Sequence, residues 1–279
     1  MFLGRIILNT LYRSILMNSY PIVVFDSGIG SISVIREIKR ELPNENLIYF
    51  ADKANFPYGK KSQIDLFKIV HNTIKYLERF HPKLIIIASN TPSIQVIDKI
   101  RSLTNIPLMG VKPPIKKAIK ITKKNHIGIM ATESSINSKE LDELIKLEIP
   151  QDIFVSKYNA SSLIPLIEDG TFLRNRKIIE QFITQILGNV DNIDVITLSS
   201  THLPFILDQL NQIYPHVKFL DPAESIVKDI KKFLIDNNLN NKIKNGKMRI
   251  LVSDNKKKFQ EILRQIGRKE KIEEVFWSI

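Results

Sequence analysis

No cysteine occurs anywhere in the 279 residues. That absence excludes disulfides, thiolate metal sites and every thiol nucleophile. It leaves the compartment open, because a reducing cytoplasm permits cysteine without requiring it. No apolar run approaches the ~20 residues that a membrane helix needs, so no membrane partner is expected. The histidines show no HExxH or comparable ligand spacing, and no metal is expected. A phosphate loop, a pyridoxal phosphate signature and a G-x-S-x-G nucleophile elbow are missing as well.

Apolar residues make up 43% of the chain, enough for two modest α/β domains or one large one, and the 25% of charged residues argues against disorder. A formal charge of +12 raises the question of a nucleic-acid partner. The lysines are dispersed, however, as in Lys112, Lys116, Lys117, Lys120, Lys123 and Lys124, and no aromatic residues interleave with them as stacking platforms. They read as a solvated surface, so nucleic acid is not the expected partner. Residues 1–16 are basic, acid-free and amphipathic, without a small-residue cleavage site. Met17 precedes the first core strand and reads as the start, which sets residues 1–16 outside the fold as an extension.

From residue 21 onward, short β-branched runs alternate with longer amphipathic stretches. Strands are predicted at Ile22–Phe25, Leu47–Phe50, Leu84–Ala88, Ile127–Met130, Val195–Leu198, Val217–Phe219 and Met248–Val252. Helices are predicted within Ser33–Glu41, Ser62–Phe80, Asn137–Glu148 and Lys177–Gly188. Continuous apolar strands alternating with helices give an α/β fold with parallel sheets covered on both faces. Pro107, Gly110, Pro113 and Pro114 suit an interdomain crossing, and a second crossing is expected near Leu220-Asp221-Pro222. The expected domains are therefore residues 21–111 plus 223–279, and residues 112–222.

The unusual clusters all stand at predicted strand ends, where open parallel sheets bind ligands. Asp26-Ser27-Gly28-Ile29-Gly30-Ser31 has the outline of a dinucleotide turn, and Asp52 ends the next strand at a fitting distance. Ser33 at the third glycine position and Asp26 beside the turn argue against a pyrophosphate. A turn of this kind instead offers backbone N–H groups to a small anion such as an amino-acid carboxylate; a plain tight turn is the alternative. Phe56-Pro57-Tyr58-Gly59 alone reads as an ordinary loop, and Asn90-Thr91-Pro92 and Thr201-His202-Leu203-Pro204 as helix caps. His202 is the one histidine at the end of a buried-type strand, whereas His71, His81, His126 and His216 read as structural.

Taken together and in order, these motifs resemble the active-site motifs of glutamate racemase, in the aspartate/glutamate racemase superfamily. Ile85-Ile86-Ile87-Ala88-Ser89-Asn90-Thr91 and Ile196-Thr197-Leu198-Ser199-Ser200-Thr201-His202 carry much of the likeness. Thr132-Glu133-Ser134-Ser135 and Leu163–Gly170 add to it, with Ser135 where the family usually has threonine. The resemblance spans roughly residues 21–279 and implies two similar lobes facing each other across a cleft. It implies a cytoplasmic isomerase that needs no cofactor and takes a small acidic amino acid. Asp26, Ser27, Tyr58, Gly59, Asn90, Thr91, Thr201 and His202 would contact substrate. In the family, the positions held here by Ser89 and Ser200 are cysteines, the two catalytic bases, assisted by the groups matching Asp26 and His202. Whether the chain forms a homodimer is left open.

Serine changes the expected chemistry. A thiol, with a reference pKa of ~8.5, can be brought to thiolate near neutrality by its neighbours. A hydroxyl ionises far less readily and acts only when a neighbour takes its proton. The activity expected is therefore a strongly impaired interconversion of L- and D-glutamate. A non-catalytic amino-acid-binding or regulatory protein is the competing expectation, and a Ser200–His202 nucleophile pair the weakest.

Overall fold

The computed structural model describes residues 18–276; residues 1–16, read above as an extension, lie outside that range. Three strands of the first sheet, β1 (Ile22–Asp26), β2 (Leu47–Ala51) and β3 (Leu84–Ile87), are buried at every residue. Unbroken β-branched runs do this because a parallel sheet flanked by helices has no solvent face to satisfy with polar side chains. β4 (Leu108–Gly110) extends the sheet at one edge. The second sheet contains β5 (His126–Ala131), β6 (Phe154–Asn159), β7 (Val195–Ser199) and β8 (Lys218–Leu220). β9 (Met248–Val252) and β10 (Ile272–Glu274) then return to the first sheet.

The strand orders are β10-β9-β2-β1-β3-β4 and β6-β5-β7-β8, and every pairing is parallel. Each sheet thus contains the same arrangement, with its second, first, third and fourth strands side by side. The first sheet adds β9 and β10 beyond β2. The helix Ala223–Asp236, which carries the chain from the second sheet back to the first, packs on the helix Ile32–Glu41. One apolar cluster runs through both lobes, from Ile22 and Val24 on β1 to Ile196 and Leu198 on β7. The protein is a two-lobed parallel α/β fold.

Helix starts follow their caps. Ser62 accepts from Asp65 N at 3.1 Å, and the helix begins at Gln63. Ser138 accepts from Leu141 N at 3.2 Å ahead of Lys139–Glu148, two residues later than the amphipathic pattern places it. Three strands, β4, β6 and β10, have no counterpart among the predicted runs. β4 and β10 are three residues long. β6 is an edge strand whose residues are exposed or half-buried, so Ser156, Lys157 and Asn159 break the apolar signal there. Among the described residues no helix is long and apolar enough to cross a membrane.

Candidate active site

Strand order reverses between β1 and β3 in one sheet and between β5 and β7 in the other. Backbone leaves the sheet in opposite directions at such a point, opening a crevice beyond the strand ends. The two crevices face each other. Their shared cleft, about 530 Å³ of empty space including its mouth, is lined by Asp26, Ser27, Tyr58, Gly59, Ser89, Asn90 and Thr91 from the first lobe. Thr132, Ser161, Ser199, Ser200 and His202 line it from the second.

Ser89 stands two residues beyond β3, the third strand of the first lobe, and Ser200 immediately follows β7, the third strand of the second. Ser89 is half-buried and Ser200 buried. Neither hydroxyl has a hydrogen-bond partner among the described residues, while Ser199 beside Ser200 pairs with Thr197 at 3.1 Å. In particular, no hydrogen bond joins Ser200 to His202. Asn90 donates through Nδ2 to Val111 O at 3.2 Å, and its buried Oδ1 has no partner among the described residues. Thr91 meets Thr132 and Ser135, each at 3.1 Å, so hydroxyls from both lobes close one side of the cleft.

Asp26 ends β1 with 1% of its surface exposed. One carboxylate oxygen accepts from Ser27 N at 2.6 Å and the other from Thr201 Oγ1 at 3.0 Å. Burial raises the Asp26 pKa, and His202 and these two hydrogen bonds only partly offset it. Thr201, expected among the substrate contacts, does not line the cleft; its hydroxyl is turned onto Asp26 from the opposite lobe.

His202 bonds through Nε2 to Glu168 Oε2 at 2.8 Å. The same oxygen accepts from Ile29 N at 2.8 Å, and Lys53 pairs with Oε1. Burial on its own would raise the Glu168 pKa, but the bond and charge of His202 and the charge of Lys53 together hold it below the ordinary range. The anion at the glycine turn is therefore an internal one. The turn was expected to offer its N–H groups to an incoming carboxylate; Ile29 N is instead taken by Glu168, because the second lobe brings a carboxylate to that spot. Gly30 is equally crowded, since a Cβ there would meet His202 Nδ1 at 2.6 Å.

Asp52 is not offered to a ribose. It is fully buried and accepts from Tyr58 Oη at 2.8 Å and from Asn55 Nδ2. Burial raises its pKa against these hydrogen bonds, and burial with the Asp52 charge pushes the Tyr58 phenol well up. Asp52 thereby pins the Phe56-Pro57-Tyr58-Gly59 loop against the cleft. Gly59 packs onto Thr132 of the other lobe, where a Cβ would come to 3.2 Å.

Of the residues singled out in the sequence, Asp26, Ser27, Tyr58, Gly59, Ser89, Asn90, Thr91, Ser200 and His202 come together in one cleft. Glu168 and Lys53 escaped sequence reasoning. Glu168 stands within the Leu163–Gly170 run, and its one local signal is an acid continuing the apolar turn Leu163–Ile167. Among the described residues no group of histidines and acids is placed to hold a metal ion.

Fold and site together define a two-lobed α/β protein in which ionisable groups from both lobes, Asp26 and His202, face one cleft. A profile of the Asp/Glu/Hydantoin racemase family matches residues 22–230. The glutamate racemase of Haemophilus influenzae (strain PittGG) is 35% identical over 227 residues, 78% of this chain and 82% of its own. That of Persephonella marina is 32% identical over 242 residues, 86% and 90% of the two chains. Among solved structures, the glutamate racemase of Francisella tularensis in complex with D-glutamate is 31% identical. It superposes with a TM-score of 0.81, covering 92% of this chain and 98% of its own. The chain belongs to the glutamate racemase family.

Proposed function

We propose that the cleft binds glutamate or a closely related acidic amino acid without a cofactor. Ser89 and Ser200 occupy the two base positions on opposite faces of its α-carbon. The observation that carries this reading is the pair of hydroxyls that have no partner among the described residues, at the ends of matching third strands, across one cleft, with Asp26 and the His202–Glu168 pair beside them. The D-glutamate complex of the Francisella tularensis relative supports the choice of ligand. Asn90 Oδ1, buried and without a donor among the described residues, is suited to accept from the substrate ammonium.

Racemisation removes the α-proton on one face and returns a proton on the other. In this chain each serine would have to pass its own proton to a neighbour before taking one from carbon. Asp26 and His202 are the acceptors at hand. Neither is hydrogen-bonded to its serine, so neither hydroxyl is activated as it stands. Proton exchange at carbon is therefore expected to be very slow. The same observation favours a second reading, a racemase-derived protein that binds an acidic amino acid without turning it over.

Two measurements on the full chain separate these readings. Calorimetric titration with D- and L-glutamate and D- and L-aspartate tests binding, and no heat for any of the four at millimolar concentration defeats both. Deuterium incorporation at the α-carbon in D₂O then divides them. Exchange establishes turnover, whereas ligand-induced thermal stabilisation without exchange establishes the binder.

A further inference from the structure

Glu168 is clamped through both of its oxygens. Oε2 receives Ile29 N and meets His202 Nε2, each at 2.8 Å, while Oε1 lies 2.5 Å from Lys53 Nζ. Lys53 belongs to the first lobe and Glu168 to the second, so the ion pair closes over the boundary between them. The side chains are 17% and 5% exposed, a setting in which a full charge pair acts with little screening. Lys53 Nζ also stands 4.5 Å from the centroid of the Phe56 ring, and that ring is 6.0 Å from the His202 ring. Phe56 therefore holds the ammonium on one side and flanks the imidazole on the other.

The short turn that carries Lys53 is secured without its ammonium. Ala54 N donates to Ser253 Oγ at 3.0 Å, and Asn55 Nδ2 donates to Asp52. What Lys53 adds is a charge at one oxygen of the carboxylate whose other oxygen serves His202. We infer that Lys53 is a positioning residue: its ammonium fixes Oε1 of Glu168 so that Oε2 stays aimed at His202, and it keeps that carboxylate ionised while the lobes are closed. The inference rests on the reading of His202 as an acid–base group of the cleft.

The surroundings make a cation useful at this point. Asp26 faces Glu168 through space as a like charge, and the Tyr49 phenol lies close enough to feel it. Asp169 and Lys258 line the adjoining cavity together with Glu168 and Lys53. With two buried carboxylates sharing one site, removal of the Lys53 charge shifts Glu168 toward its neutral form. A protonated Oε2 would present a hydrogen to the donors that now point at it, and both the Ile29 and His202 bonds would weaken.

The test is a carboxyl carbon NMR titration of the full-length protein labelled at its glutamates, with the Glu168 signal assigned by its loss in Glu168→Gln. Lys53→Met should move the Glu168 midpoint upward, toward the ordinary carboxylate range, while the other glutamates stay in place. Lys53→Arg should restore most of the native position, because it returns the charge. In a Ser89→Cys/Ser200→Cys background, the acid limb of α-deuterium exchange should move upward with the midpoint. An unchanged midpoint in a folded Lys53→Met protein overturns the inference. If that variant does not fold, Lys53→Gln replaces it; loss of fold in both, with Lys53→Arg intact, shows a structural charge and overturns the inference too. The titration needs no turnover, so the two failures are distinguishable: a shifted midpoint with no exchange in any variant supports the hold of Lys53 on Glu168 but defeats the reading of His202 as an acid–base group, whereas an unshifted midpoint overturns the inference itself.

Discussion

A Cβ on Gly28 would lie 2.1 Å from Oε2 of Glu168. The glycine turn after β1 is thus shaped by a carboxylate from the opposite lobe, 139 residues away from the Ile29 amide that it accepts. Gly28 does not stand among the glycines with positive φ, so space, not backbone conformation, requires it.

Gly28→Ala is accordingly expected to cost about 1–3 kcal/mol in urea unfolding, the range for overpacking a filled site. It should also weaken glutamate binding, because Glu168 cannot move aside without releasing His202. Native stability in this variant would mean that the second lobe yields freely at this contact.

Asp26→Asn should raise the melting temperature at neutral pH. Burial puts the folded-state pKa of Asp26 above its ordinary value of 3.8. The native protein then holds this proton more tightly than the unfolded chain. Stability from this group is present below pH 3.8 and is lost as pH rises through the folded pKa, and the deficit persists at neutrality. Asparagine cannot ionise; its Oδ1 keeps the acceptor for Ser27 N, and its Nδ2 can donate to the Thr201 hydroxyl, which accepts as well as donates. Melting curves from about pH 3 to about pH 8 should show its advantage over the parent growing as pH rises from 3.8 through the folded pKa and complete above that pKa. A destabilised variant at every pH would show that the carboxylate is worth more as a charge near His202 than it costs to bury.

Ser89→Cys/Ser200→Cys should gain α-proton exchange by about 10²-fold or more, the lower end of what one positioned acid–base group contributes. Each single change should do far less, since turnover needs one group to remove the proton and another to deliver it. The two effects should be strongly non-additive. Chirality of the product, followed by polarimetry, reads the outcome. A double variant that binds glutamate and stays inert would favour the binder.

Truncation tests whether residues 1–16 stand outside the fold. A chain begun at Met17 should melt as the full chain does. One begun at Pro21 should lose about 1–3 kcal/mol, the cost of stranding a buried polar group. Lys83 and Glu45, with side chains 2% and 3% exposed, form a buried ion pair whose ammonium also donates to Asn18 O at 2.6 Å and Leu239 O at 2.8 Å. Ser19 O accepts from Asn46 Nδ2 at 2.7 Å. Equal melting of both chains would show that Asn18 and Ser19 contribute nothing to this knot.

Much of the cleft was legible because its residues cluster at strand ends. Asp26-Ser27, Ser89-Asn90-Thr91 and Ser200-Thr201-His202 each interrupt an apolar run abruptly, and an abrupt change from burial to small polar groups is a local signal. Glu168 gives almost none, since its partners Ile29, Lys53 and His202 lie on three other segments. The sequence marks Thr201 as a polar residue beyond a strand end, but the direction of its hydroxyl depends on Asp26 approaching from the other lobe.

By itself, the sequence determined the strands that are buried on both faces, the helices with an apolar stripe, and the absence of any thiol at the cleft. These are local properties, set by side-chain shape, backbone preference and the spacing of apolar residues. Only the tertiary structure decided the shared strand order of the two sheets, the meeting of their switch points, and the use of Glu168 to fill the glycine turn. Those depend on which distant segments lie side by side, and pairing across more than a hundred residues leaves no periodicity in the chain to be read.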